Sequence, residues 1–281
     1  THPLCSDHTE FSRLRGKKPQ ALVATVCACR DPPFVHLWTT LRKTMWRSVS
    51  LCLLGCAVAD TAAKVKVQLF AEAGCPFCRA AIAGPVNQTL STPSVAAIMD
   101  FEFFPWGNAY FVTEECKGAG EYDMSARKCF NQHCGAGVTE KPKDCFTGDV
   151  VCQHGQAECE ADRYLACAKV LDAEHYMAFA HCVEAGYDNY TKGLVMSCAA
   201  ANRLDSAALS KCFSSSEGDH AVVQQASATP EHPGVPYILV DGKPVEQPND
   251  LLKEVCKAYQ GTTPKECSKL RTWWESTFIY A

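Results

Sequence analysis

A chain of 281 residues with 47% hydrophobic and 21% charged side chains has room for one large domain or two small ones and lacks the bias of a disordered polymer. Its formal net charge of −4 provides no basic footprint for nucleic acid. Nineteen cysteines exclude an ordinary reduced cytosolic protein and point to an oxidising, secretory-pathway setting.

The first methionine is Met45, and after it come Arg47, the apolar stretch Val49 to Leu54, and Ala57-Val58-Ala59. A basic start, an apolar core and a small-x-small site predict a signal peptide over residues 45–59, cleaved before Asp60. Residues 1–44 are then an upstream extension without structure; the alternative is a processed leader of 59 residues. No membrane span is expected, because the apolar run is far short of ~20 residues and no later run is longer. Past the cut, fourteen cysteines remain and the net charge becomes −9, from 19 Lys+Arg against 28 Asp+Glu.

Val65 to Phe70 (VKVQLF) alternates at period two and predicts a strand, with Ala71 to Gly74 leading into a helix that begins near Cys75. Gly84-Pro85 should kink or end that helix. Ile98 to Phe104 reads as a second strand, stopped at Pro105-Trp106-Gly107. Cys116 to Cys145 lacks periodicity and reads as a loop insertion held by its four cysteines. Glu158 to about Ser214 is helical and alanine-rich, broken at Gly186 and Gly193, with its cysteines stapling helices together. Tyr237 to Val240 is a strand, Asp241-Gly242 a hairpin turn and Pro244-Val245 its short partner. Asn249 should cap a last helix, Asp250 to Tyr259, closed by Gly261. This order predicts an α/β thioredoxin-like fold over residues 60–267, with a large cystine-stapled helical insertion at about 108–215 and an extra Cys-rich loop. Residues 268–281, ending in RTWWESTFIYA, form a tail expected to pack or be processed.

Cys75 and Cys78 carry the chemistry. A cysteine at a helix start meets unsatisfied N–H groups that stabilise its thiolate, so Cys75 should be exposed and attack, and Cys78, one turn in, should resolve. Pro76 suits the first helical position, and Phe77 offers an apolar contact for an unfolded substrate. Val235-Pro236 stands where thioredoxin-like proteins carry a cis-proline facing the pair, which makes both residues candidates for substrate contact. Two other uses of the pair stay open: structural disulfides to other cysteines, and zinc, for which Cys152, His154 and Cys159 are the local candidates. No metal is expected in an oxidising lumen. Asn87 and Asn189 open two glycosylation sequons.

The stretch CQHGQAECEADRYLAC resembles the gamma-interferon-inducible lysosomal thiol reductase family, whose signature is C-Q-H-G, two residues, E-C, two residues, N, four residues, C. Cys152, Gln153, His154, Gly155, Glu158, Cys159 and Cys167 match, and Asp162 replaces the asparagine. CPFC, PWGNA (105–109), VPYILVDG (235–242) and CKAYQGTTPKEC (256–267) agree with it. The resemblance implies a glycosylated thiol reductase of the endosomal and lysosomal route or a secreted one. Its substrates would be proteins with disulfides, its active pair Cys75 and Cys78, and its only helper an external small thiol in place of a bound cofactor.

Acid operation requires a depressed Cys75 pKa, for which Arg79 is the nearest basic candidate. His154 could assist proton transfer or bond a backbone carbonyl; the structural role is the expectation. Neither the Cys116–Cys145 insertion nor Asp162 is expected to touch the active pair. The competing functions are a disulfide oxidase or isomerase using the same cysteines, and a saposin-like module without catalysis.

Overall fold

The computed structural model describes residues 62–118 and 120–269, so the expectations for residues 1–44, for the signal peptide and for most of the tail lie outside the described residues. Strand β1, Val65–Ala71, buries Val65, Val67 and Leu69 on one face, and Phe70 and Ala71 are buried as well. Burial on both faces marks a central strand covered on both sides. Helix α1, Pro76–Ala81, runs into a π-helical stretch, Ile82–Val86, and then α2, Asn87–Leu90. Gly84-Pro85 therefore neither ends the helix nor leaves it regular: the turn widens around a residue that has no N–H to donate.

After α3, Pro93–Ala96, strand β2, Met99–Pro105, returns parallel to β1 in register from Val65↔Met99 to Ala71↔Pro105. Strand β3, Tyr110–Phe111, opens the insertion and later pairs with β4, Val150–Val151. Between them the sequence reading needs correction, because the Cys-rich segment holds helix α4, Met124–Cys134. Asp123 caps it by accepting from Ser125 N at 2.7 Å, and Ala126, Phe130 and Cys134 bury one stripe. The dense Lys, Asn and Gln of its outer face masked that stripe. Disulfide Cys116–Cys129 fastens the middle of the helix and Cys134–Cys145 its C-terminal end, and Phe111, Phe130 and Phe146 meet in a small separate core.

The helical block comprises α5 (Gln156–Leu171), α6 (Tyr176–Gly186), α7 (Lys192–Ala201), α8 (Ser206–Phe213) and α9 (Ser216–Ala228), so it runs past Ser214. Cys167–Cys212 staples α5 to α8, and Cys182–Cys198 staples α6 to α7. Gly186 ends α6 as expected, but Gly193 lies inside α7, whose start is set by the Thr191 hydroxyl accepting from Leu194 N at 3.1 Å. The block is tied to the sheet by the Phe103 amide, which donates to the Tyr176 hydroxyl at 3.1 Å.

The chain re-enters the sheet through a cis Val235-Pro236 bond into β5, Tyr237–Val240, antiparallel to β1. Asp241 and Gly242, both with positive φ, turn it into β6, Lys243–Pro244, giving the order β2-β1-β5-β6. Asn249 does not cap the last helix. Pro248 has already started a 3-10 turn, Pro248–Asp250, so the backbone is helical before α10, Leu251–Ala258, begins, and α10 ends at Tyr259 rather than at Gly261. A parallel pair joined by the Cys75 helix, an antiparallel hairpin entered at a cis-proline and a terminal helix make a thioredoxin-like fold, split by the cystine-stapled helices.

Candidate active site

Six disulfides account for twelve of the fourteen cysteines after residue 60, and Cys75 and Cys78 are free. The loop that delivers them leaves β1 through Gly74, whose φ of +79° suits glycine and where a Cβ would lie 2.4 Å from the Tyr187 ring. Cys75 is the N-cap of α1, and its sulfur accepts from the Cys78 amide at 3.5 Å. A hydrogen bond from the Cys78 thiol, the Cys78 and Phe77 amides and the charge of His154 outweigh burial and lower the Cys75 pKa to about 6. Burial and the neighbouring Cys75 sulfur push the Cys78 thiol the other way, far above its ordinary value. The two sulfurs are thus an acceptor thiolate and a donor thiol.

Cys75 is not the exposed residue the sequence suggested: it is 5% exposed and Cys78 0%, whereas Phe77 is 75% exposed. The reason is a cleft of about 280 Å³ into which Cys75 opens, with Pro76 and Phe77 on its rim and Gly234 and Val235 on another side. The remaining walls include Met124 and Arg127 of α4 and Gln153 and His154 of the signature. The insertion therefore does reach the active pair. Pro236 is half-buried directly behind Val235.

The signature builds its wall from local geometry. Gly155 adopts φ +87° ahead of α5, and Cys152–Cys159 closes the turn. Glu158 then accepts from the Gln153 amide at 2.8 Å and the His154 amide at 3.1 Å. That disulfide removes Cys152 and Cys159 as zinc ligands. Among the described residues the group with metal-ligand geometry is Glu72, His154 and Glu158, with donor atoms within 4.8 Å of one another, although His154 Nδ1 is already bonded to Glu158. His154 holds a carboxylate and faces the cleft, which differs from the backbone-bonded role expected of it. Arg79 is also reassigned: its guanidinium bonds Asp188 at 2.5 and 3.0 Å and the Glu184 carbonyl at 2.9 Å.

Close to the pair lie four buried carboxyls, Glu158 and Asp162 of the signature together with Glu72 and Glu184, which sequence reading did not single out. Glu72 accepts from the Asn108 amide at 2.6 Å. Asp162 accepts from the Ala73 amide at 2.9 Å with one oxygen and leaves the other without a partner, so the signature departure also contacts the redox loop. Both Glu184 carboxyl oxygens lack a hydrogen bond of good geometry, although the Gly74 amide is close enough to pull its pKa down against the effect of burial. Burial raises Glu72, Glu158 and Glu184 to about 8 and drives Asp162 upward too, each reinforced by its carboxyl neighbours or by Cys75. A lone acid in the apolar runs LFAEAGC and AHCVEAG was the available signal for Glu72 and Glu184. The sequon residues Asn87 and Asn189 are both exposed.

The family model described as gamma interferon inducible lysosomal thiol reductase matches residues 66–140 and 133–202. A gamma-interferon-responsive lysosomal thiol protein of Arabidopsis thaliana is 29% identical over 223 residues, covering 75% of this chain and 78% of that one. A gamma-interferon-inducible lysosomal thiol reductase of Mus musculus is 26% identical over 233 residues, covering 81% of each. A thiol-disulfide oxidoreductase of Corynebacterium diphtheriae superposes with a TM-score of 0.38 at 13% identity over 71% of this chain and 86% of that one, too loose a match to add to the topology. The matched region runs from β1 through α7 and holds the free cysteine pair, the signature turn and the Cys182–Cys198 staple of α6 to α7, and on that ground the chain belongs to the gamma-interferon-inducible lysosomal thiol reductase family.

Proposed function

We propose that the protein reduces disulfide bonds of polypeptides in an acidic compartment, with Cys75 attacking and Cys78 resolving. The Cys75 thiolate attacks one sulfur of a substrate disulfide, forming a mixed disulfide, and the expelled substrate thiolate takes a proton. Cys78 then gives up its proton and attacks the Cys75 sulfur, releasing the second substrate thiol and leaving a Cys75–Cys78 disulfide. Two equivalents of an external small thiol return the pair to the dithiol. Phe77, Val235 and Pro236 contact the polypeptide around its cystine.

The observation that carries this reading is the free Cys75 sulfur, held as a hydrogen-bond acceptor in a cleft while the other described cysteines except Cys78 are paired. A pKa of about 6 leaves about 10% thiolate at pH 5, against ~0.03% for an ordinary thiol. The buried carboxyls support acid operation, because in their protonated form they do not repel that thiolate. An endosomal, lysosomal or secreted location, a signal peptide and glycans on Asn87 and Asn189 complete the proposal. No helix among the described residues is long and apolar enough to cross a membrane.

A Cys78→Ser variant tests it by trapping mixed disulfides with protein substrates at pH 5 and pH 7. Recovery of adducts on Cys75 is expected; their absence at both pH values counts against the enzyme.

A further inference from the structure

The insertion brings a cation to the cleft that no anion among the described residues neutralises. Arg127 of α4 is 5% exposed, yet no carboxylate among the described residues lies within ion-pairing distance of it. Its Nε has no hydrogen-bond partner. Its Nη1 reaches only the Met124 sulfur at 3.8 Å, and its Nη2 meets the His232 ring nitrogens at 3.2 Å and the His232 carbonyl at 3.4 Å. His232 cannot supply a counter-charge, because an imidazole is neutral or cationic, and burial and the Arg127 charge, lowering its pKa to about 4, keep it neutral. A desolvated guanidinium is ordinarily matched by an anion in bidentate geometry.

This side chain lines the cleft into which Cys75 opens. Asn108 lines it as well and presents a second orphan, a buried Oδ1 without a partner, while its Nδ2 donates to Glu72 at 3.4 Å and Gln153 at 2.5 Å. Arg127 and Asn108, each carrying a buried polar atom without a partner, thus both line a space of about 280 Å³, enough for one amino-acid-sized group beside the reacting sulfur.

We propose that Arg127 is a carboxylate subsite of the redox cleft, receiving an anion carried by the molecule whose sulfur meets Cys75. This rests on the reductase reading. The shared chemistry has two sources: a low-molecular-weight thiol that bears a carboxylate, or an acidic residue beside the cystine of a polypeptide. In the first case the thiolate attacks Cys75 of the Cys75–Cys78 disulfide, and Cys78 leaves and takes a proton. A second thiolate attacks the outer sulfur of the mixed disulfide and frees Cys75, so two thiols are oxidised to one disulfide as the enzyme pair is reduced.

The test uses the full chain in two arms. In the first, turnover of a protein disulfide is driven by cysteine or by cysteamine, which lacks the carboxylate, at matched thiolate concentration. In the second, cystine peptides with Glu or Gln beside the cystine are compared with dithiothreitol as reductant. The carboxylate partner is expected to show about tenfold higher kcat/KM in one arm, which identifies the source; the ratio should fall toward unity in Arg127→Gln and be partly kept in Arg127→Lys. Ratios near unity in both wild-type arms overturn the subsite without any variant. A tenfold preference that survives unchanged in Arg127→Gln overturns it too. Absence of turnover with every thiol and peptide strikes the reductase reading instead.

Discussion

Cys78 donates its main-chain N–H to the Cys75 sulfur across 3.5 Å while its own thiol is fully buried. One residue therefore stabilises the thiolate of the other and withholds its own sulfur from solvent. Alkylation of the reduced protein by iodoacetamide should fall on Cys75, with a rate that titrates at a midpoint near pH 6. Cys78→Ala removes the thiol hydrogen bond, the largest of the lowering influences, and should move that midpoint up by about one unit. A wild-type midpoint above pH 8 would refute the arrangement.

His154 acts on the same sulfur from the other side of the cleft through charge alone, the last and smallest of the influences on Cys75. His154→Ala should raise the alkylation midpoint by only a few tenths of a unit, with little loss of folding stability because the side chain is partly exposed. A shift as large as that of Cys78→Ala would show that His154 dominates the site.

The four buried carboxyls make stability depend on pH with a definite sign. The folded-state pKa values of Glu72, Glu158 and Glu184 lie above the ordinary 4.5, so their contribution is complete below that value and is lost as pH rises through about 8, and burial shifts Asp162 in the same direction. Cys75, lowered from 9.0 to about 6, opposes them as one group against four. His232, lowered from 6.5 to about 4, removes stability on the acid side. Thermal unfolding should therefore be highest near pH 5 and fall by roughly 5 °C toward pH 8. A melting temperature that climbs steadily from pH 5 to pH 8 contradicts this.

Asp162 separates hydrogen bonding from ionisation at one position. Asp162→Asn keeps an acceptor for Ala73 N–H and removes one ionising group, so it should flatten the decline in melting temperature as pH rises past the ordinary carboxyl value of 3.8. Asp162→Ala leaves that buried amide unpaired and should cost about 1–3 kcal/mol at every pH. Equal melting curves for the two variants would mean that the Ala73 bond contributes nothing.

Gly74→Ala tests the loop itself. The new Cβ would meet the Tyr187 ring at 2.4 Å from a backbone with φ +79°, so a loss of about 2 kcal/mol or more is expected, together with slower alkylation of Cys75. A variant as stable and reactive as the parent would show that Tyr187 yields freely.

Patterns confined to neighbouring residues were legible without coordinates. The alternation of VKVQLF and the turn at Asp241-Gly242 follow from periodicity and backbone preference and appear within a residue or two of their expected places, whereas the alanine-rich helices were read correctly in kind but run on to Ala228. Helix α4 was obscured because its buried stripe sits among polar residues, and the cap at Asn249 failed because Pro248 had already committed the backbone to a 3-10 turn.

The amino-acid order alone determined the β1 strand, the C-x-x-C helix start, the X-Pro entry to β5 and, through the spacing of Cys152, Glu158 and Cys159, the family. Only the tertiary structure decided that Cys75 is recessed, that α4 walls its cleft with Arg127, and that Glu72, Asp162 and Glu184 are buried within electrostatic reach of one another. Hydrogen-bond periodicity acts between near neighbours and can be read along a string. Desolvation and charge coupling depend on which distant segments end up within a few ångströms, and that is set by packing: Ala73 and Asp162 stand 89 positions apart in sequence and 2.9 Å apart in the fold.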